Sequence, residues 1–510
     1  MLSNSHKLSV LEKAGYGFGD AAANFVWRGA LGYLAIFYTD TFGLMAAHVA
    51  LLMLWVRLTD GVTDIVMGMI ADRTETRFGK FRPWIMWSAP ALALFMILCF
   101  TTPDLSYGGK LIWAYITYIG LTLAYTVNNV PYSALMGVMT PSVSERASLS
   151  SYRFVGAFGG GLLVMGMTPY LVDFFGKGDA IIGYQYTMYL FASLIVIFCT
   201  ITYFTTQERV KPAKVDRPPF SKEVVDILYS LAVLCMPLFG AIIFLQFQNI
   251  LSGIFFALTF LVTFLGGKYI ISRPAETRTG TQQELVDLIT NKPWLILLSV
   301  GFLFMIFNSI RYGVVAYYFT YYMGDALLTG KYFAALLIVS LLTALAVPYI
   351  NKLCTKKTLF IISFVLGAAF NCAIYFLDPS QVTLIFVVGC IGEIFAAIMP
   401  VLYFGMLGDV ADYSEWKTGR RATGLIYSAG SFVQKAGSGF AAAIVLLVLA
   451  KFGYDAAVES TITDSIQGMK LLMSWIPAVF GVVGLIAIIF YPLTATKMQQ
   501  IEQDLQARRA

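Results

Sequence analysis

Three charged residues lie inside one apolar stretch, at a spacing that suits ion chemistry. Arg57, Asp60 and Asp64 are three and four positions apart, which places them on one face of a helix. Two carboxylates on one face, with the hydroxyl of Thr63 beside them, offer a small cation oxygen ligands. Carboxylates this close to an arginine also titrate as a coupled pair, so the site could take up a proton instead. The simpler alternative is that Asp60 only neutralises Arg57.

Two other apolar segments carry polar stripes. The first stripe recurs at every fourth position and contains Tyr16, Asp20, Asn24 and Arg28, and the second contains Tyr125, Thr126, Asn129, Tyr132 and Ser133. Aromatic rings stack on the C–H faces of sugars, while amides and hydroxyls bond sugar hydroxyls. The stripes therefore favour a sugar-binding wall. Ordinary hydrogen bonding between helices explains any single Asn or Ser about as well.

Two basic residues, Arg153 and Lys435, lie in apolar segments with no acid within one helical turn. A charge inside a membrane is costly, so their partners must lie on other helices or on a ligand. Arg28 and Arg311 are less informative, because a long basic side chain near a membrane interface can reach the lipid headgroups.

The composition indicates an integral membrane protein. Hydrophobic residues make up 58% of the chain and charged residues only 13%, against roughly 25% charged in soluble domains. At about 20 residues per crossing, the apolar stretches predict about fourteen transmembrane helices. Barrel strands would be shorter and would alternate in polarity. The predicted fold class is therefore all-α.

The spans are grouped as six, two and six. A Pro-rich and basic stretch near 205–223 interrupts the apolar pattern. We predict an N-terminal six-helix bundle (1–206), a cytoplasmic linker with two additional transmembrane helices (207–293, the helices at about 223–270) and a C-terminal six-helix bundle (294–510). The segments that follow Pro131 and Pro400 resemble each other, as two related halves would. This arrangement is that of major facilitator transporters, whose substrate sits between the halves.

Charge placement predicts the orientation. Most of the 35 basic residues fall in the termini and in alternate loops, which places both termini in the cytoplasm. The first apolar run contains Asp20 and Arg28 and is expected to be a retained helix, not a cleaved signal. The six cysteines are scattered singly and indicate neither a disulfide framework nor a zinc site. No phosphate-binding loop occurs, so the expected energy source is an ion gradient, without a cofactor.

Several motifs together resemble the glycoside-pentoside-hexuronide:cation symporter family of the major facilitator superfamily, which includes melibiose permease and the glucuronide carrier. They are "YGFGDAAANF", "RLTDGVTDIVMG", "TRFGKFRPW", "NNVPYSAL", "DYSEWKTGRRATGLIYSAGSFVQKAGSGF" and "FYPLT". The resemblance covers nearly the whole chain except the additional pair of spans. It implies sugar transport coupled to Na⁺ or H⁺ across a bacterial inner membrane by alternating access.

The resemblance also implies roles for individual residues. It places Asp60, Asp64, Thr63 and Thr126 at the cation site, where the two aspartates would ligate Na⁺ if sodium is the coupling ion. It places Lys435 between the cation and sugar sites, with Arg57 as a second coupling residue. The residues expected to bind sugar are Asp20, Asn24, Tyr125, Asn129, Tyr132, Ser133, Arg153, Ser431 and Lys435.

Departures from the melibiose-type pattern bear on the substrate. Asn24 and Asn129 stand where that pattern has aspartates, while Arg153 and Lys435 are retained. The loss of two carboxylates makes the predicted cavity more positive, which favours an anionic sugar. We therefore expect a hexuronate, a uronide or an oligouronide. A symporter of a neutral glycoside or pentoside is the nearest alternative.

Two hypotheses from other classes fit less well. A membrane-embedded, Mg²⁺-dependent enzyme of the prenyltransferase type would use acid clusters such as Asp60, Asp64 and Asp72 with Asp409 and Asp412. Such clusters must share one membrane face, whereas Asp60 and Asp72 are about 18 Å apart along a helix. A channel would need a filter or a charged ring. The expected partners are a sugar, a monovalent cation and lipid, with no nucleic acid, and we expect a monomer.

Overall fold

The computed structural model describes residues 7–140, 143–210, 250–272, 280–351, 353–419, 423–456 and 458–509. Every named secondary-structure element within these ranges is helical, which confirms the predicted all-α class for them. Long apolar segments must satisfy their backbone hydrogen bonds internally, and a helix does so within one segment.

The first half contains six helices: α1 (Val10–Gly29, continued by π-helical turns at Ala30–Leu34 and Phe37–Thr41), α2 (Ala46–Arg73), α3 (Arg82–Cys99), α4 (Tyr107–Met139), α5 (Val143–Gly176) and α6 (Ala180–Thr205). Between the halves, the described residues form α7 (Ile250–Ser272) and α8 (Gly280–Ile289). The second half contains α9 (Lys292–Tyr317, continued by a π-helical turn at Tyr318–Tyr322), α10 (Leu327–Ile350), α11 (Lys356–Ile374), α12 (Val382–Thr418), α13 (Thr423–Lys451), α14 (Glu459–Met473), α15 (Trp475–Ile489) and the terminal α16 (Ala495–Arg509).

The described residues account for fewer membrane crossings than the sequence predicts for the whole chain. Within the described ranges, ten helical stretches are long and apolar enough to cross a membrane, so the expected fourteen are not confirmed. α1 and α2 are not among the ten, because their charged and polar residues lower their hydropathy. One predicted additional span, 223–246, lies outside the described residues. The other coincides with α7, whose packing neighbour is the short α8 and whose Ile250 and Leu251 are largely exposed.

Close packing within the first half positions a charged pair. The first half ends with α6 at Thr205, and the second begins with α9 at Lys292. Within the first half, α1 packs along α5 at very short range. A Cβ atom on Gly156 would lie 1.9 Å from the carbonyl oxygen of Gly17, so only glycine permits this approach. The contact brings Arg153, one turn earlier on α5, beside Asp20 of α1.

Among the described residues, the most extensive contacts between the halves are those of α2 with α13 and of α5 with α10, and α9 also contacts the π-helical turn at Ala30–Leu34. The first pair is again closely packed, because a Cβ atom on Gly61 would lie 2.0 Å from the ring of Phe432. At one end of the bundle, Asp40 of the first half accepts hydrogen bonds from Tyr321 and Tyr454 of the second. Toward the other end, which carries α16, the halves enclose a cavity whose wall extends along α2 from Asp64 to Gly68.

Candidate functional site

Three oxygen atoms converge between α2 and α4. The hydroxyl of Thr126 lies 2.9 Å from Oδ1 of Asp60 and 2.9 Å from Oδ1 of Asp64. A hydroxyl can donate only one hydrogen, so it bonds one carboxylate at a time. Asp60 is 2% exposed. Two carboxylates gathered around one hydroxyl in a buried place form an oxygen cage with excess negative charge, which is what a small cation or a proton requires.

The ammonium group of Lys435, on α13, reaches this cage from the opposite half. Its Nζ atom hydrogen-bonds Oδ2 of Asp64 and lies 3.2 Å from Oδ2 of Asp60. Lys435 therefore holds the place that a free cation would take beside both carboxylates. Because Asp60 and Asp64 belong to the first half and Lys435 to the second, the same contacts tie the two halves together.

Arg57 lies behind the cage, away from the cavity. Its NH1 atom is 3.9 Å from Oδ2 of Asp60, and its guanidinium group stacks 4.3 Å from the ring centroid of Trp27. A second ring, Tyr118, lies 6.0 Å away. Cation–π contacts of this kind stabilise a buried guanidinium that has only one carboxylate at long range.

The cage opens on a cavity of about 650 Å³ between the halves. Its wall is formed by Asn24, Trp27, Gly61, Asp64, Gly68, Tyr125, Asn129, Val130, Ser133, Arg153, Tyr427, Ser431, Phe432, Gln434 and Lys435. The rings of Trp27 and Tyr125 lie 6.2 Å apart and are nearly parallel, at 26°. Flat rings beside amides and hydroxyls provide both contacts that a pyranose needs.

Arg153 meets an acid across the helix interface. Its Nε atom is 3.4 Å from Oδ2 of Asp20, and its NH2 atom donates to the Ser133 hydroxyl at 3.4 Å. Asp20 is 7% exposed and does not belong to the cavity wall. Both basic residues that were expected to make the cavity positive are therefore paired with carboxylates, Arg153 with Asp20 and Lys435 with Asp64. In this conformation carboxylates neutralise the positive charge that the sequence predicts for the cavity.

Two other expected site residues also lie away from the wall. Tyr132 is fully buried, with its ring stacked 4.6 Å from Tyr16 and its hydroxyl donating to the Tyr16 carbonyl at 2.8 Å. It supports Arg153, whose guanidinium lies 5.5 Å from its ring centroid. The hydroxyl of Thr63 donates to the Asp60 carbonyl at 2.9 Å, so it bonds its own helix and neither carboxylate.

Several residues of the wall were not predicted from the sequence. Trp27 follows Asn24 by three positions on the polar stripe, and this spacing could have identified it. Gln434 precedes Lys435 in the quoted motif "QKAGS" and could have been found there. Arg311, considered as an interface residue, is instead buried and lies 3.3 Å from Glu393, which also accepts from Tyr312 and Ser340.

Known proteins resemble this chain over its whole length. The family model described as MFS/sugar transport protein matches residues 15–234 and again residues 227–495. "Inner membrane symporter YicJ" of Escherichia coli is 32% identical, covering 99% of this chain and 97% of that protein. "Putative glycoside/cation symporter YagG" of the same organism is 30% identical, covering 99% and 96%.

The fold has solved counterparts at low sequence identity. A structure of a proton-dependent oligopeptide transporter superposes with a TM-score of 0.64 at 13% identity, covering 98% of this chain and 100% of the other. At that identity the likeness concerns the fold alone. The family match and the curated relatives identify a transporter and exclude the enzyme hypothesis.

The two halves, the buried carboxylates between them and the match along the whole chain lead to one assignment. The chain belongs to the MFS/sugar transport family and, within it, to the glycoside-pentoside-hexuronide:cation symporters, multi-pass proteins of the bacterial inner membrane that carry a sugar together with a cation.

Proposed function

We propose that this protein imports an anionic sugar, a hexuronate, uronide or oligouronide, together with Na⁺ or H⁺, and that both termini lie in the cytoplasm. The observation that carries the proposal is the position of Lys435. Its ammonium group contacts the carboxylates at which a free cation would bind. The same side chain lines the cavity in which a sugar would bind. One side chain therefore has access to both ligands.

The charges around the cavity explain why cation loading would favour an anion. The charged side chains described at the cage and on the cavity wall, together with the acid that pairs with Arg153, are Arg57, Arg153 and Lys435, and Asp20, Asp60 and Asp64. Three positive and three negative groups cancel. A bound Na⁺ or H⁺ displaces the Lys435 ammonium from Asp64 and leaves one net positive charge beside the cavity. A sugar carboxylate neutralises that charge, whereas a neutral sugar does not.

This order of events accounts for coupling. Cation binding releases Lys435, and the free ammonium increases the affinity for the sugar. The loaded carrier then changes from the outward-open to the inward-open conformation. Coupling is reciprocal, so the sugar must tighten cation binding by the same factor. The rings of Trp27 and Tyr125 suit a pyranose of any charge, which keeps neutral glycosides as the second candidate substrate class.

The coupling site is tested with Asp60→Asn and Asp64→Asn. Each variant should abolish gradient-driven accumulation of sugar in vesicles, while purified protein keeps its thermal unfolding profile. Asp378→Asn, in an exposed loop, is the matched control and should transport normally. If Asp60→Asn or Asp64→Asn still concentrates sugar, that residue lies outside the coupling site.

The substrate class is tested by competition. Uptake of a labelled hexuronate should be reduced by other uronates and uronides and only weakly by the matching neutral glycosides. The opposite order would overturn the anionic preference and leave the neutral class. Sodium dependence of uptake, or alkalinisation of the medium during uptake, then separates Na⁺ from H⁺.

A further inference from the structure

The end of α1 and the end of α9 are built alike. Residues 37–43 read FYTDTFG and residues 318–324 read YFTYYMG. Both segments form a π-helical turn and stop at a glycine in the left-handed region, with φ of 75° at Gly43 and 72° at Gly324. The terminal hydrogen bonds also correspond, since Phe42 N–H donates to Phe37 and Met323 N–H to Tyr318. The two halves therefore present equivalent turns at the same end of the bundle.

Equivalent positions of these turns bond to each other. In this correspondence Asp40 of the first half matches Tyr321 of the second, and the Tyr321 hydroxyl donates to Oδ2 of Asp40. The Tyr454 hydroxyl, just beyond α13, donates to Oδ1 at 2.6 Å. Thr39, the residue before Asp40, also shares a hydrogen bond of 3.0 Å with Tyr317, the last residue of α9 before its π-helical turn. Three contacts thus join the halves around one carboxylate.

The hydrogen bonds stabilise a carboxylate that is otherwise poorly solvated. Besides the two tyrosines, the adjacent Thr39 hydroxyl also donates to Asp40. Hydrogen bonds to a charged acceptor are stronger than those between neutral groups, and losing one leaves part of the charge unsatisfied. Single-turn π-helical segments are often found at functional sites. This cluster lies at the end of the bundle opposite the end that carries α16, toward which the cavity wall extends.

We propose that Asp40, Tyr321 and Tyr454 form the outer lock of the transport cycle, which keeps the cavity closed on its extracytoplasmic side and must open before a sugar can enter. The side named here rests on the orientation given under Proposed function. The lock itself does not depend on the identity of the sugar or the cation. Weakening it should shift the protein toward the outward-open state.

The lock is tested by the reactivity of a single cysteine. Ser309→Cys, in a variant whose six native cysteines are replaced, places a thiol in the interior between Arg57 and the lock, where Ser309 is 2% exposed. Its rate of alkylation by a membrane-impermeant reagent, added to intact cells, measures the outward-open fraction. Tyr321→Phe and Asp40→Asn should each raise this rate about tenfold, the effect of losing one charge-assisted hydrogen bond.

The chain provides a matched control in the same turn. Tyr318 is as buried as its neighbours, but its hydroxyl bonds no described residue. Tyr318→Phe should leave the alkylation rate unchanged. Equal rates in the parent, Tyr321→Phe and Asp40→Asn proteins would overturn the lock, provided that all variants unfold at the same temperature. Faster alkylation only in inside-out vesicles would overturn the orientation instead. The assay contains no sugar, so its result is independent of the proposed substrate.

Discussion

Replacing Lys435 by Gln should increase the affinity of the empty carrier for its coupling cation. In the structure the ammonium group lies 3.2 Å from Oδ2 of Asp60 and is hydrogen-bonded to Asp64. In the proposed mechanism it therefore competes with the coupling cation for these two carboxylates. Unit charges at 3.2 Å attract by about 5 kcal/mol at an effective dielectric constant of 20. Desolvation cancels most of this energy, which leaves a net contribution of about 1.5 to 3 kcal/mol. The cation dissociation constant should therefore fall about ten- to a hundredfold.

The same variant should lose coupling. Without the ammonium, sugar can no longer affect the cage through Lys435, so the cation dissociation constant should be equal with and without sugar. Calorimetric titration of purified protein with NaCl measures both values, and proton uptake at fixed pH replaces it if Na⁺ does not bind. Lys451→Gln, at the exposed end of the same helix, should behave like the parent. An unchanged or weaker cation affinity in Lys435→Gln, together with lost sugar binding, would show that Lys435 is only a sugar ligand.

Three further changes test the positions of other groups. Thr126→Val should weaken cation binding about tenfold by removing the shared hydroxyl, whereas Thr126→Ser should retain it, and titration with the coupling cation distinguishes the two. Gly61→Ala places a Cβ atom 2.0 Å from the Phe432 ring and should lower transport and the yield of folded protein, with partial recovery in combination with Phe432→Ala. Glu208→Gln removes one of the two carboxylate oxygens that accept three backbone N–H groups before and at the start of α3. It should lower the thermal unfolding midpoint, and an unchanged midpoint would contradict the structural role.

Sequence spacing was sufficient to predict the cage because its two carboxylates lie close together in the sequence, on one helix. Asp60 and Asp64 share a helix face at i, i+4, and the resemblance supplied Thr126 and Lys435 on other helices. The structure brings all four together. Spacing on one helix cannot say which helices are neighbours. Arg153 was recognised as needing a partner, but its acid, Asp20, was assigned to the sugar.

Helical periodicity also cannot distinguish a polar helix face that lines a cavity from one that packs against another helix. Tyr132 belongs to the same stripe as Tyr125 and Asn129, yet its ring is buried against α1. A polar stripe has the same pattern whether it faces water or another polar helix. Asp40 gave no signal at all, because a carboxylate near the end of an apolar segment is usually solvated. Its position at the interface between the halves involves two tyrosines more than 280 residues away in the chain.

The two clusters together suggest how one chain alternates its access. At each cluster a carboxylate of the first half is held by donors of the second, Lys435 at the cage and Tyr321 with Tyr454 at the outer lock. In the proposed cycle a cation would weaken the tie at the cage, because it would replace the ammonium, but it would not contact the lock. Cation binding alone should therefore loosen the interface near the membrane centre without opening the outer side. A complete transport cycle requires that the contacts at the cage and at the outer lock both break and re-form. For this reason neither the cation nor the sugar would cross efficiently without the other.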